Sequence, residues 1–184
     1  MKKWLFIFPI ILLCKCATVK VIHFVNEDAS FKSYTNFSVV NYKTQGVDIS
    51  AEGSLLFNEI ETNIENQMFR REYQKSNLNP DIIVRYEIIS NQVSETRTVS
   101  PYANPYSGFG PSFSTRTFLE SALLIELTDI STRKMVWQGS VDLSKYDQGN
   151  EQNKLLKKAI SQIFDTYLYH SGSDVPDPTL IENK

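Results

Sequence analysis

Leu119-Glu-Ser-Ala-Leu-Leu-Ile-Glu-Leu-Thr-Asp129-Ile-Ser-Thr-Arg-Lys-Met135-Val-Trp-Gln-Gly-Ser-Val-Asp-Leu143 is the stretch that decides the fold. Its first half sets Leu119, Leu123, Ile125 and Leu127 against Glu120, Ala122, Leu124 and Glu126. Its second half sets Met135, Trp137, Val141 and Leu143 against Gln138, Ser140 and Asp142. Successive side chains of a strand point to opposite faces, so each half predicts a strand with one face turned to a core. The residues between them, Asp129 to Arg133, have turn chemistry, and the two strands form a hairpin. Trp137 is the largest candidate for burial. Gly139 permits a bulge or the close approach of a helix, and Asp129 is expected to cap the turn through its own backbone.

Upstream, Asp81 to Ser90 predicts a third strand, with Ile82, Val84, Tyr86 and Ile88 alternating against Arg85 and Glu87. Pro80-Asp81 marks its start. Ser54 to Arg71 predicts a helix, because Leu56, Ile60, Ile64 and Met68 fall four apart and Leu55 broadens that face. Phe37 to Tyr42 and Ala17 to Val25 predict two more strands, the latter with Val19, Val21 and Val25 opposite Ile22 and Phe24. Thr44 to Gly53 is a polar loop. Downstream, Glu151 to Tyr169 predicts a second helix, with Leu155, Leu156, Ala159, Ile160, Ile163, Phe164 and Tyr167 on its apolar stripe. Residues 171–184 are polar, carry two prolines and are expected to fray as a flexible tail. The order is β-β-α-β-β-β-α. It predicts an α+β, two-layer sandwich: a mixed or antiparallel sheet with two helices on one face.

One segment resists this pattern. Asn91 to Thr115 has at its centre Pro101 to Phe113, with three prolines and two glycines among aromatics. That centre excludes a regular helix or a central strand, and a loop is expected over residues 96–115. Tyr102, Tyr106, Phe109 and Phe113 are the candidate contact residues, since such aromatics anchor protein interfaces and stack on sugars.

The N-terminus gives an address. Met1-Lys2-Lys3 is basic, and Trp4 to Leu13 is apolar. Ten residues rise only about 15 Å as a helix, roughly half a bilayer core, which suits a cleaved signal and not a spanning anchor. The run halts at Cys14-Lys15-Cys16, as a lipoprotein signal does. Residues 1–15 are therefore expected to be removed and Cys16 (alternatively Cys14) to be lipidated, the acyl chains holding residues 16–170 as a single domain at a membrane. The expected location is the cell envelope, on the outer membrane in preference to the inner, with the domain in the periplasm. The covalent lipid, palmitate included, is its membrane contact.

The composition narrows the chemistry. Three of the 19 basic residues, Lys2, Lys3 and Lys15, leave with the signal, so 16 face 21 acidic residues at a net charge of −5. A mildly acidic domain has no electrostatic footprint for nucleic acid. Both cysteines of the chain lie at the signal, which leaves the domain without a disulfide, thiolate nucleophile or cysteine metal site. His23 and His170 are the only histidines, and their positions suggest no nucleophile–base pair. Glu120 and Glu126 share a strand face, where an acid–base pair competes with the plainer role of a solvated sheet surface. No zinc, phosphate-loop or dinucleotide motif is present, and no cofactor or metal is expected.

Four motifs together carry a resemblance. They are Phe31-x-x-Tyr34-x-x-Phe37, Asn79-Pro-Asp81-Ile-Ile-Val84, the pair Leu124-Ile-Glu-Leu-Thr-Asp129 and Met135-Val-Trp-Gln-Gly139, and the aromatic Gly-rich insertion before that hairpin. In this order they resemble small Gram-negative envelope lipoproteins that carry a domain of unknown function, the one numbered 4136, over roughly residues 16–169. Ser121 stands where that family commonly has glycine. The resemblance implies fold and location and no chemistry. The expected function is that of a non-enzymatic, membrane-tethered protein binding an envelope protein or peptidoglycan through residues 101–113. The alternative is a small-ligand carrier or hydrolase with a pocket between helices and sheet.

Overall fold

The computed structural model describes residues 20–41, 50–99, 112–145 and 152–182. The elements run β1 (Val21–Val25), β2 (Asn36–Val40), α1 (Ala51–Arg70), β3 (Gln74–Lys75), β4 (Ile82–Val99), β5 (Ser112–Asp129), β6 (Met135–Asp142) and α2 (Gln152–Phe164). The strands form one six-stranded mixed sheet in the order β1-β6-β5-β4-β2-β3, open at both edges. β4, β5, β6 and β1 pair antiparallel. β2 lies parallel to β4 and to the two-residue β3. A parallel pair needs a crossover, and α1 lies within it. The architecture is α+β.

Both helices cover the same face. That face collects Phe37 of β2, Ile82, Val84 and Tyr86 of β4, Leu123, Ile125 and Leu127 of β5, and Trp137 and Val141 of β6, all buried. Against it α1 sets Ile60, Ile64 and Met68, and α2 sets Leu156, Ala159, Ile160, Ile163 and Phe164. Each such side chain contributes about 1.5–3 kcal/mol on leaving water. The Trp137 ring packs tilted against Phe164 and Tyr167, with centroids 5.5 Å and 5.2 Å away. A Cβ on Gly139 would stand 2.6 Å from Ile163 Cγ2 and 2.9 Å from the Trp137 ring, so this glycine sets how closely α2 approaches β6. On the opposite face, one row across the sheet reads Ile22, Ser140, Leu124, Glu87 and the next Phe24, Gln138, Glu126, Arg85, Val40. Ile22 is 65% and Phe24 49% exposed there.

Several boundaries differ from the sequence reading, each for a physical reason. α1 begins at Ala51 because Ser50 caps it, its side chain accepting from Gly53 N at 3.1 Å. Leu55 does not broaden the buried stripe. It lies nine residues, or two and a half turns, before Ile64, and is 70% exposed. Phe57 packs against the core in its place, 6.3 Å from the Tyr86 ring.

α2 stops at Phe164, short of the expected Tyr169, although Tyr167 stays fully buried. The carbonyls that end it are taken by Arg71, itself fully buried. Its Nη2 donates to Phe164 O at 2.6 Å and its Nε to Tyr167 O at 2.9 Å, while Nη1 donates to the main-chain and side-chain oxygens of Gln67. The guanidinium lies 5.2 Å from the centre of the Phe164 ring. Burial lowers its pKa to about 10, which leaves it cationic at neutral pH.

The segment expected to fray is instead fastened as far as residue 182. Gly172 N donates to Tyr34 O, Lys32 N to Asp174 Oδ1, and Asp177 N to Leu168 O. Leu180 is buried, and Glu182 meets Ser161 and Arg70.

The largest departure concerns the loop expected over residues 96–115. β4 continues to Val99 and β5 begins at Ser112, in unbroken register from Ile82↔Asp129 to Val99↔Ser112. The β-branched content of Thr96, Thr98, Val99, Thr115 and Thr117 supports pairing, and the prolines and glycines fall between the strands, in residues 100–111. Pairing of β4 with β2 ends at Arg85, and of β5 with β6 at Ala122. Beyond these points the two strands run on as a ribbon.

Candidate functional site

Two places bear on function: a cleft at the turn end of the sheet and the ribbon at the other end. The cleft, of about 390 Å³, lies between the β1–β2 connection, Pro80-Asp81 and the β5–β6 turn. Asp28, Tyr34, Asp81, Asp129, Ser131 and Lys134 are among its lining residues.

Asp129 folds over its own turn, Oδ1 accepting from Ser131 N at 2.7 Å and Thr132 N at 3.2 Å. Its Oδ2 accepts from the Tyr34 hydroxyl at 3.1 Å. Asp81 joins the start of β4 to the start of β2: its Oδ2 accepts from Thr35 N and Asn36 N, each at 2.9 Å, and from Thr35 Oγ1 at 3.1 Å. Burial pushes both carboxyls up, but these hydrogen bonds outweigh it and hold both below the usual carboxylate range. Burial, with Asp129 beside it, raises the Tyr34 hydroxyl far above an ordinary phenol. At neutral pH the two acids are ionised, and the phenol keeps its proton. General acid catalysis needs a carboxyl pushed the other way. The cleft therefore presents two ionised carboxylates and a protonated phenol to whatever enters it.

The other titratable candidates are dispersed. Glu126 accepts from Thr128 Oγ1 at 2.8 Å and meets Arg85 at 3.1 Å on the uncovered face. Glu120 lies in the ribbon opposite Asn91. His23 sits on edge strand β1 opposite Gly139, and His170 Nε2 meets Asp177 Oδ2 at 2.7 Å near the chain end. Among the described residues no three His, Cys, Asp or Glu side chains converge as a metal site, and no helix is long and apolar enough to cross a membrane. Between helices and sheet, where a ligand pocket was the alternative expectation, the side chains of Ile60, Ile125, Trp137, Ile163 and Phe164 are fully buried in contact. A smaller hollow of about 260 Å³ lies at the helix–helix surface beside Asn63, Arg70 and Lys157.

Cys14, Cys16, Tyr102, Tyr106 and Phe109 lie outside the described residues. Phe113 is the second residue of β5, opposite Thr98. The described ribbon ends at the pair Val99 and Ser112, eleven residues past Ile88. The hydroxyl–hydroxyl contact of Tyr73 and Tyr167 at 2.7 Å, the buried Arg71 and the Tyr34–Asp129 bond were not legible in sequence. Their distant partners are 93 to 96 residues apart, and no local pattern signals them.

Comparison with known proteins extends the geometry. The fold is similar to that of a PDZ domain protein from Parabacteroides distasonis, at 11% identity and a TM-score of 0.54, covering 83% of this chain and only 36% of that one. It is similar to a DUF4136 family protein from Bacteroides thetaiotaomicron, at 14% identity and a TM-score of 0.53, covering 84% and 98% of the two chains. No curated protein matches the sequence. The family model described as "Domain of unknown function (DUF4136)" matches residues 22–167, from the second residue of β1 to the buried Tyr167, and the chain therefore belongs to the DUF4136 family.

Proposed function

We propose that this protein is a lipid-anchored, non-enzymatic protein of the bacterial cell envelope, and that the β4–β5 ribbon is its contact element. The ribbon is the observation that carries the binding half of this reading. Paired strands that leave the sheet gain no core burial, and an isolated two-stranded hairpin is at best marginally stable alone. An element that adds little to folding and carries Pro101 to Pro111 at its end fits contact with another envelope component. Carboxylates held ionised in the cleft, Asp81 by Thr35 and Asn36 and Asp129 by its own turn, support a binding role. The anchor half is supported by the apolar run Trp4 to Leu13 ending at Cys14-Lys15-Cys16.

Two measurements test the two halves. The intact mass of protein extracted from membranes is expected to correspond to a chain beginning at Cys16 plus acyl chains. A mass beginning at Met1, or one without lipid, refutes the anchor. For the ribbon, residues 100–111 are replaced by Asn-Gly, a two-residue turn suited to the facing pair Val99 and Ser112. Loss of co-purifying envelope material with an unchanged melting temperature is expected, and an identical set of bound components refutes the ribbon's role.

A further inference from the structure

The register of the sheet places the start of β1 and the ribbon at the same end of the molecule. Val21, the first residue of β1, is opposite Val141 of β6, which is opposite Leu123 of β5, which is opposite Ile88 of β4. β1 therefore starts at that common row, with its N-terminal end toward one end of the sheet. The ribbon leaves toward that same end, through Ile88 to Val99 and Leu123 back to Ser112. The β5–β6 turn and its cleft lie at the opposite end.

The lengths decide the consequence. Cys16 precedes Val21 by five residues, which at full stretch span about 18 Å. The eleven residues from Ile88 to Val99 extend about 36 Å at strand spacing. Sheet twist of roughly 20–25° per strand turns the ribbon about 55° from β1 over two and a half strand steps, and its projection along β1 is still about 20 Å. The ribbon therefore reaches at least as far along β1 from the common row as five residues can span in any direction. Ile22, the second residue of β1 and 65% exposed, adds apolar surface at that end.

We infer that the component the ribbon touches is the lipid surface in which Cys16 is anchored, with the cleft end turned away from it. This rests on the lipid-anchor reading above and names the ribbon's partner. Because the mature chain contains no cysteine after Cys16, a single introduced cysteine is a unique label site once Cys16 is acylated, and the wild-type chain is the unlabelled control.

The test uses full-length protein extracted from membranes and reconstituted in phosphatidylethanolamine–phosphatidylglycerol vesicles containing nitroxide lipids. A fluorophore is placed at Ser112→Cys at the ribbon's far end, or at Thr115→Cys should the first variant misfold, and at Lys134→Cys in the exposed β5–β6 turn. Quenching several-fold stronger at the ribbon than at the turn is expected. Equal and weak quenching at both, or stronger quenching at the turn, overturns the inference while an acylated mass in the same sample keeps the anchor. A ribbon probe shielded by added peptidoglycan or by a bound envelope protein, and not quenched by lipid, also overturns it. A mass without acyl chains refutes the anchor itself, and the inference falls with it.

Discussion

Gly139→Ala tests the packing on which the whole two-layer arrangement rests. A single added methyl would stand 2.6 Å from Ile163 Cγ2 and 2.9 Å from two atoms of the Trp137 ring, far inside van der Waals contact at about 3.5–4.0 Å. None of these neighbours is the loose end of a flexible chain. Ile163 Cγ2 branches directly from its Cβ on α2, and the indole is wedged between Phe164 and Tyr167. Relief requires α2 to move off β6 or Trp137 to leave its rotamer. Overpacking of this kind costs about 1–3 kcal/mol, which for a domain of this size lowers Tm by roughly 2–4 °C per kcal/mol. Denaturant unfolding monitored by tryptophan fluorescence is expected to show a lower midpoint at unchanged slope. Ile163→Ala removes the clashing methyl. In that background the same Gly139→Ala change is expected to cost about 1 kcal/mol less, since residues in contact couple by roughly 0.5–3 kcal/mol. A neutral or stabilising Gly139→Ala, or strict additivity with Ile163→Ala, would refute the proposed helix–sheet contact.

Three further outcomes are expected. Arg71→Lys keeps the charge but cannot reach the carbonyls of Gln67, Phe164 and Tyr167 together; a loss of about 2–4 kcal/mol, with faster amide exchange at the end of α2, is the expected reading. Tyr73→Phe leaves the fully buried Tyr167 hydroxyl without its partner and is expected to cost about 1–3 kcal/mol, whereas adding Tyr167→Phe costs little more, because both ends of the bond are then gone; additive losses in urea titrations would contradict this. Asp81 and Asp129 have folded pKa values below their unfolded ones, so their stabilisation is present above about pH 4 and is lost as pH falls through the folded values. Asp81→Asn is accordingly expected to lower the urea midpoint at pH 7 and to leave it nearly unchanged at strongly acid pH; an equal loss at both would show that the carboxylate's charge is not what Thr35 and Asn36 bind.

Much of the fold was readable because it is periodic. Ile82, Val84 and Tyr86, Leu123, Ile125 and Leu127, and the four-residue spacing of Ile60, Ile64 and Met68 each report a buried face in the local order of residues, and each is buried. The hairpin at Asp129 was readable because an aspartate caps its own turn within three residues. Where the reading failed, distance along the chain was the cause. The ribbon was hidden because Thr96 and Thr98 look like loop until Thr115 and Phe113 are set opposite them. The fastening of residues 171–182 depends on Tyr34 and Lys32, more than a hundred residues upstream. In the candidate site, Asp81 and Asp129 were legible as a strand start and a turn cap. That they line one cleft, with Tyr34 bonded to Asp129, was not.

By itself, then, the order of residues determined the core segments of the longer strands and helices, which of their faces are apolar, and an expected lipid address at Cys16 (alternatively Cys14), since all of these follow from local spacing and composition. Only the tertiary structure decided the strand order β1-β6-β5-β4-β2-β3, the burial of Arg71 across two helix ends, and the placement of the start of β1 and the ribbon at one end of the sheet. Those depend on which distant backbone groups hydrogen-bond to one another, and a linear pattern does not specify that choice until the core is packed.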